Sequence, residues 1–296
     1  MKKRYLLISI AFLATTSCLM SQVVYEISDC IRTGLDRNFS LLISRNNESV
    51  ARNNYTLGNA GYLPSLDMTG RYSGTVNDTR RNLSDGTETS SDGDHNTTAT
   101  VGLSMGLTVF NGFNVQTTYK KLGELKQVGE LNTQLAVENL VAQIVSAYYN
   151  YIQQIELLNN LKYAVVLSKE RLRIDEDRYL LGSSSKMQVL QSRVYLNADS
   201  SRLSRQYEVV RAAQVRLNEL MAVDDMSQTF TTPDTAIIVN PGLLYESLFE
   251  QTLQNNTNLK IASSNKTISE YDKKIIISRS YPYLTASSGY NYSINN

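Results

Sequence analysis

Arg178-Tyr179-Leu180-Leu181-Gly182-Ser183-Ser184-Ser185-Lys186-Met187 is the stretch on which the reading of this chain turns. It interrupts two long segments that contain no Pro, Phe113 to Leu181 and Ser185 to Met221. Before it, Val141, Ile144, Tyr148, Tyr151, Ile155 and Leu158 recur at alternating steps of three and four. After it, Val189, Leu196, Leu203, Val210 and Leu217 fall every seventh residue. A sustained repeat of this kind keeps an apolar seam facing a partner helix, so the segments 113–181 and 185–221 are expected to form an antiparallel coiled-coil hairpin. At about 1.5 Å per residue the first arm is about 100 Å long and the second about 55 Å. A compact domain has no use for such lengths. Gly182 supplies the positive-φ position that the tight turn needs.

Upstream, residues 25–61 read as a half-length helix with Ile27, Ile31, Leu35, Leu42 and Val50 on a loose apolar face. Asn38 and Ser40 are expected to break or cap it, because such side chains compete with helical backbone bonds. Leu63-Pro64 ends it, since the residue before Pro avoids the α region. The period then changes to two. Leu66, Met68, Gly70, Tyr72, Gly74 and Val76 alternate with Asp67, Thr69, Arg71, Ser73 and Thr75, which predicts a strand over 64–76. A second strand is expected over 98–110, where Val101, Leu103, Met105, Leu107 and Val109 alternate with Thr100, Gly102, Ser104, Gly106 and Thr108. Thr79 to Thr97, rich in Asp, Asn, Ser, Thr and Gly, is expected to be a long exposed loop. Each strand has about the ten residues that a tilted transmembrane strand requires. A soluble sandwich would show the same alternation. A secretory leader and strands that emerge directly from very long helices favour the membrane barrel.

That leader is residues 1–21: Lys2-Lys3-Arg4, an apolar run from Tyr5 to Ala14, and Thr15-Thr16-Ser17. Cys18 is a candidate lipid acceptor, although Thr15 stands where such a signal usually carries an apolar residue. Cys30 is left without a disulfide partner and reads as a small buried apolar residue. The chain has 29 basic and 28 acidic side chains among 296 residues, a balance that argues against a nucleic-acid partner. Its one His, His95, falls in the expected loop, and there is neither a Cys/His cluster with metal spacing nor a phosphate-binding glycine loop. No catalysis, cofactor or metal is expected.

Past the hairpin, 223–240 reads as a linker with Pro233 and the apolar run Ala236-Ile237-Ile238-Val239, a short strand or packed belt at mid-height. Then the pattern recurs. An offset of 218 residues relates Pro64 to Pro282, Asn38 to Asn256, Leu35 to Leu253, Leu66 to Leu284 and Tyr72 to Tyr290, without a gap. Residues 22–240 thus form a first repeat, and 241–296 begin a second with a half-helix at 243–280 and a strand at 283–292.

Several segments carry a family resemblance: Asn38-Phe39-Ser40-Leu41, Tyr62-Leu63-Pro64-Ser65-Leu66, Thr108-Val109-Phe110-Asn111-Gly112, Arg178-Tyr179-Leu180-Leu181-Gly182 and Tyr281-Pro282-Tyr283-Leu284. In this order and spacing the chain resembles the TolC-like outer-membrane efflux proteins. The resemblance implies a mainly α fold with β: a coiled-coil helical tunnel, or α-barrel, joined to a transmembrane β-barrel in a homotrimer. It implies an outer membrane location with a periplasmic helical extension, a periplasmic adaptor (membrane fusion) protein docked at the tip, and an inner-membrane pump reached through that adaptor. The function implied is a passive exit duct for small molecules or proteins in tripartite efflux or type I secretion. Arg178, Gly182, Ser183, Ser184 and Ser185 are the expected docking tip, with a plain helix connection as the alternative. Asp67, Thr69, Arg71, Thr100, Ser104 and Thr108 are the expected lumen-facing strand residues, with Asp67 and Arg71 either paired or separately solvated. The family's fourth strand and second helical hairpin are missing from the pattern, so the chain reads as truncated within its second repeat and is not expected to form a conducting trimer as it stands. A secreted coiled-coil structural or adhesion protein, or a fragment without function, are the alternatives.

Overall fold

A computed structural model describes residues 23–234 and 242–295. These fall into two compact units, one drawn from the chain up to Arg45 and from Thr133 to Thr252, the other from Asn46 to Asn132 and from Leu253 onward. In chain order the elements are β1 (Val23–Val24), α1 (Ile27–Arg37), α2 (Phe39–Asn54), α3 (Leu57–Ala60), β2 (Ser65–Asn82), β3 (Glu88–Asn111), α4 (Asn114–Leu180), α5 (Lys186–Met221), β4 (Phe230–Thr231), α6 (Tyr245–Asn255), α7 (Thr257–Ser278) and β5 (Tyr283–Asn295). The leader, Cys18 and the Ala236–Val239 run lie outside the described residues. No described helix is long and apolar enough to cross a membrane.

The first unit is built on the seam of the two long helices. Ile144 and Tyr148 of α4 and Leu217 and Met221 of α5 are fully buried, together with Cys30 of α1. Gly34 brings α1 close to α4: a Cβ there would lie 2.4 Å from Ile144 Cδ1. The span 25–61 is not one helix but three, and the breaks have identifiable causes. At the first, Asn38 leaves the helical region at ψ 123°, and its side-chain Oδ1 accepts the Leu41 N–H at 3.2 Å while Nδ2 donates to Leu220 O at 3.0 Å. At the second, Thr56 caps α3 by accepting the Asn59 N–H. The linker after α5 is strapped down by amides. Asn218 Nδ2 donates to Met226 O and Gln228 O, and Tyr151 and Tyr148 donate their hydroxyls to Phe230 O (3.1 Å) and Asp234 Oδ2 (2.8 Å). Val23–Val24 then pairs in parallel with Phe230–Thr231.

In the second unit β2, β3 and β5 form one antiparallel sheet in that order. Residues 79–97 correct the expectation of a loop: β2 runs on to Asn82 and β3 starts at Glu88. Asp85-Gly86 makes the reversal, with Gly86 at φ 85° and its N–H on Leu83 O, a turn suited to a hairpin. Between them lies a bulge, where Asp92 and Gly93 oppose Asp78, Gly93 adopts φ 75°, and its N–H binds Asp78 Oδ1 at 2.7 Å. Serine and threonine extend a strand as readily as a loop once a turn of this kind closes it. His95 accordingly sits in the ladder opposite Val76 and is exposed. The joint from β3 to α4 uses two successive positive-φ residues, Gly112 (64°) and Phe113 (65°). A Cβ on Gly112 would meet Ser278 O at 2.5 Å.

The 218-residue offset holds element by element. It carries both ends of α1 onto those of α6, the start of α2 onto that of α7, and the start of β2 onto that of β5. Asn256 caps α7 through Leu259 N–H as Asn38 caps α2.

Burial pushes the Cys30 thiol up to about 12 from its ordinary 9.0, with nearby Asp29 adding to the effect. The unfolded chain therefore ionises this thiol first, and the stability that its burial contributes is complete below pH 9 and lost as pH rises toward 12. The thermal midpoint should fall across that window, and fall less in Cys30→Val. Gly112→Ala should cost about 1–3 kcal/mol, the range for a strained backbone position. Faster amide exchange over Asn114–Thr118 is the measurement, and unchanged exchange would mean that the joint relaxes.

Candidate functional site

Two places in the fold carry features beyond structural need: the faces of the sheet and the turn between α4 and α5. In the sheet, directly paired residues share a face. Asp67 pairs with Ser104, which pairs with Gly289; Thr69 with Gly102 and Asn291; Arg71 with Thr100 and Ser293. Thr108 pairs with Thr285 on that same side. All six residues named from the sequence thus fall on one polar face, and β5 adds Thr285, Ser287, Asn291 and Ser293 to it. These four were readable in the sequence, since the 218-residue offset lands on them from Asp67, Thr69, Ser73 and Thr75.

Thr100 and Ser293 share a hydroxyl hydrogen bond of 3.1 Å across this face. Gly102 leaves room for Asn291 and Thr69, whose side-chain oxygens would lie 2.2 and 2.8 Å from a Cβ at that position. No ion pair joins Asp67 to Arg71 among the described residues, so the two charges share a face and are separately exposed.

The opposite face is apolar. Met68, Leu103 and Tyr290 form one row across it, and Tyr72, Ala99 and Ile294 another. Most of these side chains are bare: Met68 is 78% exposed, Tyr290 73% and Tyr72 76%. A register shift at Val109 brings Phe110 opposite Leu284 and keeps an aromatic ring on this side at the helix end of the sheet.

At the turn, Gly182 has φ 75°, its N–H binds Tyr179 O at 3.0 Å, and the Ser183 N–H binds Arg178 O at 2.9 Å. These two bonds are the Schellman ending of a helix. Ser183 Oγ also donates to Arg178 O, and Ser185 Oγ accepts the Gln188 N–H that opens α5. Two of the three serines thus serve the helix ends. Beside them lies an apolar surface absent from the expected docking residues: Leu180 is 81% exposed, Leu181 83% and Met187 79%. Their signal was present, as apolar residues off the heptad seam next to a turn. Just below, Tyr179, Leu180, Val189 and Leu190 line a cleft flanked by the Glu176–Arg193 ion pair (2.9 Å).

Among the described residues no group of His, Cys, Asp and Glu could hold a metal ion.

Comparison with known proteins agrees with this geometry. The family model described as "Outer membrane efflux protein" matches residues 30–223. The outer membrane protein TolC of Vibrio cholerae is 28% identical over 184 residues, which is 61% of this chain and 40% of that protein. The fold resembles the solved outer membrane protein VceC of Vibrio cholerae, with a TM-score of 0.70 at 16% identity over 90% of this chain and 62% of that one. It likewise resembles the Campylobacter jejuni outer membrane channel CmeC, with a TM-score of 0.68 at 15% identity over 91% of this chain and 60% of that one. The chain thus spans about two fifths of the length of its curated relative and about three fifths of these structures. With half-helices, a two-faced sheet and a long helical hairpin in this order, and a family model covering most of that span, the chain belongs to the outer membrane efflux protein family.

Proposed function

We propose that the chain forms a wall segment of an outer-membrane exit duct, passive in itself, through which small molecules or proteins leave in a tripartite efflux or type I secretion assembly. The observation that carries this is the three-stranded sheet, polar and small on one face, apolar and bare on the other, running directly into a 67-residue helix. The apolar side of β3 extends from Ala99 to Val109. At about 3.4 Å per residue and a tilt near 45° that is about 25 Å, the height of the apolar band of an outer-membrane barrel. The polar face then lines the wet path, with Asp67, Thr69, Arg71, Thr100, Ser104 and Thr108 along it. β2 and β5 each keep an outer edge without a partner among the described strands, and hydrocarbon does not tolerate unpaired backbone groups. This supports assembly with further strands into a closed barrel. An adhesion protein would give no account of a sheet with two such faces.

We assign the α4–α5 turn, with Arg178, Gly182 and Ser183–Ser185 at its centre, to docking a periplasmic adaptor that links to an inner-membrane pump. Leu180, Leu181 and Met187 are its apolar contacts. A membrane-impermeant maleimide tests the sheet: single cysteines at Thr69, Thr100 and Ser104 should react in intact outer membranes, and those at Met68, Leu103 and Met105 should not. Equal labelling of the two faces would sink the membrane reading. For the tip, Leu180→Asp with Met187→Asp should reduce cross-linking to the adaptor at least ten-fold; unchanged cross-linking would leave the turn as a plain helix connection.

A further inference from the structure

The two arms of the hairpin share a pattern that the apolar heptads conceal. Ser168, Leu172 and Asp175 on α4 are spaced as Ser192, Leu196 and Asp199 are on α5, an offset of 24 residues. In the folded hairpin each serine donates its hydroxyl to the aspartate of the opposite arm, Ser192 Oγ to Asp175 Oδ2 and Ser168 Oγ to Asp199 Oδ2. The bridges are one heptad apart and opposite in direction, so a local two-fold relates the arms, with Leu172 and Leu196 between the bridges. Asp175 and Ser192 are 6% and 2% exposed, and Asp199 takes a second hydrogen bond from Arg202 at 3.3 Å. Along α5 the apolar stripe Val189, Leu196, Leu203, Val210, Leu217 thus runs beside a polar one, Ser192, Asp199 and Gln206. Gln206 donates to the Gln154 side chain at 2.8 Å, seven residues further from the turn along α4 than the position opposite it in the register of the bridges, so the bridges speak for the turn end of the hairpin.

A carboxylate in a helix seam stabilises less than an apolar residue of similar volume. What a polar seam residue does supply is discrimination between registers. We propose that the Ser168–Asp199 and Ser192–Asp175 bridges are a register lock for the hairpin. The apolar stripe repeats every seven residues and is satisfied equally by arms displaced by one heptad, a slide of about 10 Å. The bridges are not. A slip in one direction brings Asp175 against Asp199, two carboxylates facing each other. A slip in the other sets Ser168 against Ser192 and Asp199 against Leu161, so that Asp199 loses its hydroxyl donor, while Asp175 meets Ser185 at the turn. The native register alone pairs every acceptor with a hydroxyl. It also holds Leu180, Leu181 and Met187 at the turn, since a displaced arm would draw one side of the tip into the seam.

The test places cysteine pairs in the two arms of the full chain, with Cys18 and Cys30 replaced by alanine, and reads cross-linking by a short bismaleimide. V165C with L203C reports the native register; V165C with L196C, or with V210C, reports a one-heptad slip in either direction. With the bridges intact only the first pair should cross-link efficiently. In S168L/S192L/D175L/D199L, helicity should persist and slipped cross-links should rise at least ten-fold. S168L/D199L, which keeps one bridge and perturbs the seam less, should give an intermediate rise. Exchanging serine and aspartate within both bridges, S168D/D199S/D175S/S192D, should restore the native pair alone. If both leucine variants stay in the native register, the turn alone sets it and the proposal fails. Slipped products from the exchanged variant would overturn it equally.

Discussion

A helix that breaks beside a packed core exposes backbone groups that apolar neighbours cannot satisfy, and this chain meets that constraint with one amide. Asn38 takes the Leu41 N–H on its oxygen and gives its nitrogen to Leu220 O, so the start of one helix and a carbonyl near the end of another are paired by a single side chain. An unmade hydrogen bond at a buried group costs about 1–3 kcal/mol, comparable with a good apolar contact. Around this point α1 lies close enough to α4 for Gly34 to leave no room for a Cβ, and Cys30, Ile144 and Leu217 are sealed from solvent. The same residue type caps α7 at Asn256, 218 positions later.

The sheet obeys a different constraint, parity. Once Asp67 is opposite Ser104, every residue of β2 and β3 up to the bulge at Asp78 has its face decided, and β5 inherits the choice through Ser104 and Gly289. A one-residue slip would exchange the polar and apolar faces completely. The two irregularities lie outside the paired core of the sheet, at Asp78 toward the hairpin turn and at Val109 toward α4. Both helical and sheet parts of the chain therefore depend on register, one on a period of seven and the other on a period of two.

Much of the fold was legible because its signals are periodic. Apolar residues at alternating steps of three and four announce the first arm and at every seventh position the second, alternation announces β2 and β3, and Pro64 and Pro282 mark the starts of strands. The continuation of β2 and β3 through 79–97 is not legible from composition, because polar residues suit a loop as well as a strand and only the turn at Asp85-Gly86 closes the hairpin. The Ser168/Asp175 and Ser192/Asp199 pattern is hidden for a related reason: apolar periodicity carries no information about polar residues in the seam. At the tip, Gly182 was readable from its conformational freedom, whereas the exposure of Leu180, Leu181 and Met187 depends on how the turn projects from the seam.

By itself the sequence determined the two helical arms, the alternating centres of β2 and β3, the repeat that relates Asn38 to Asn256, and the family, because these rest on local preference, periodicity and order along the chain. Only the tertiary structure decided what lies opposite what. That Asp175 meets Ser192, that Arg71 shares a row with Thr100 and Ser293, and that Asn38 reaches Leu220 are facts of pairing between distant segments. Pairing is set by complementarity between two surfaces, and a single strand of sequence holds only one of them at a time.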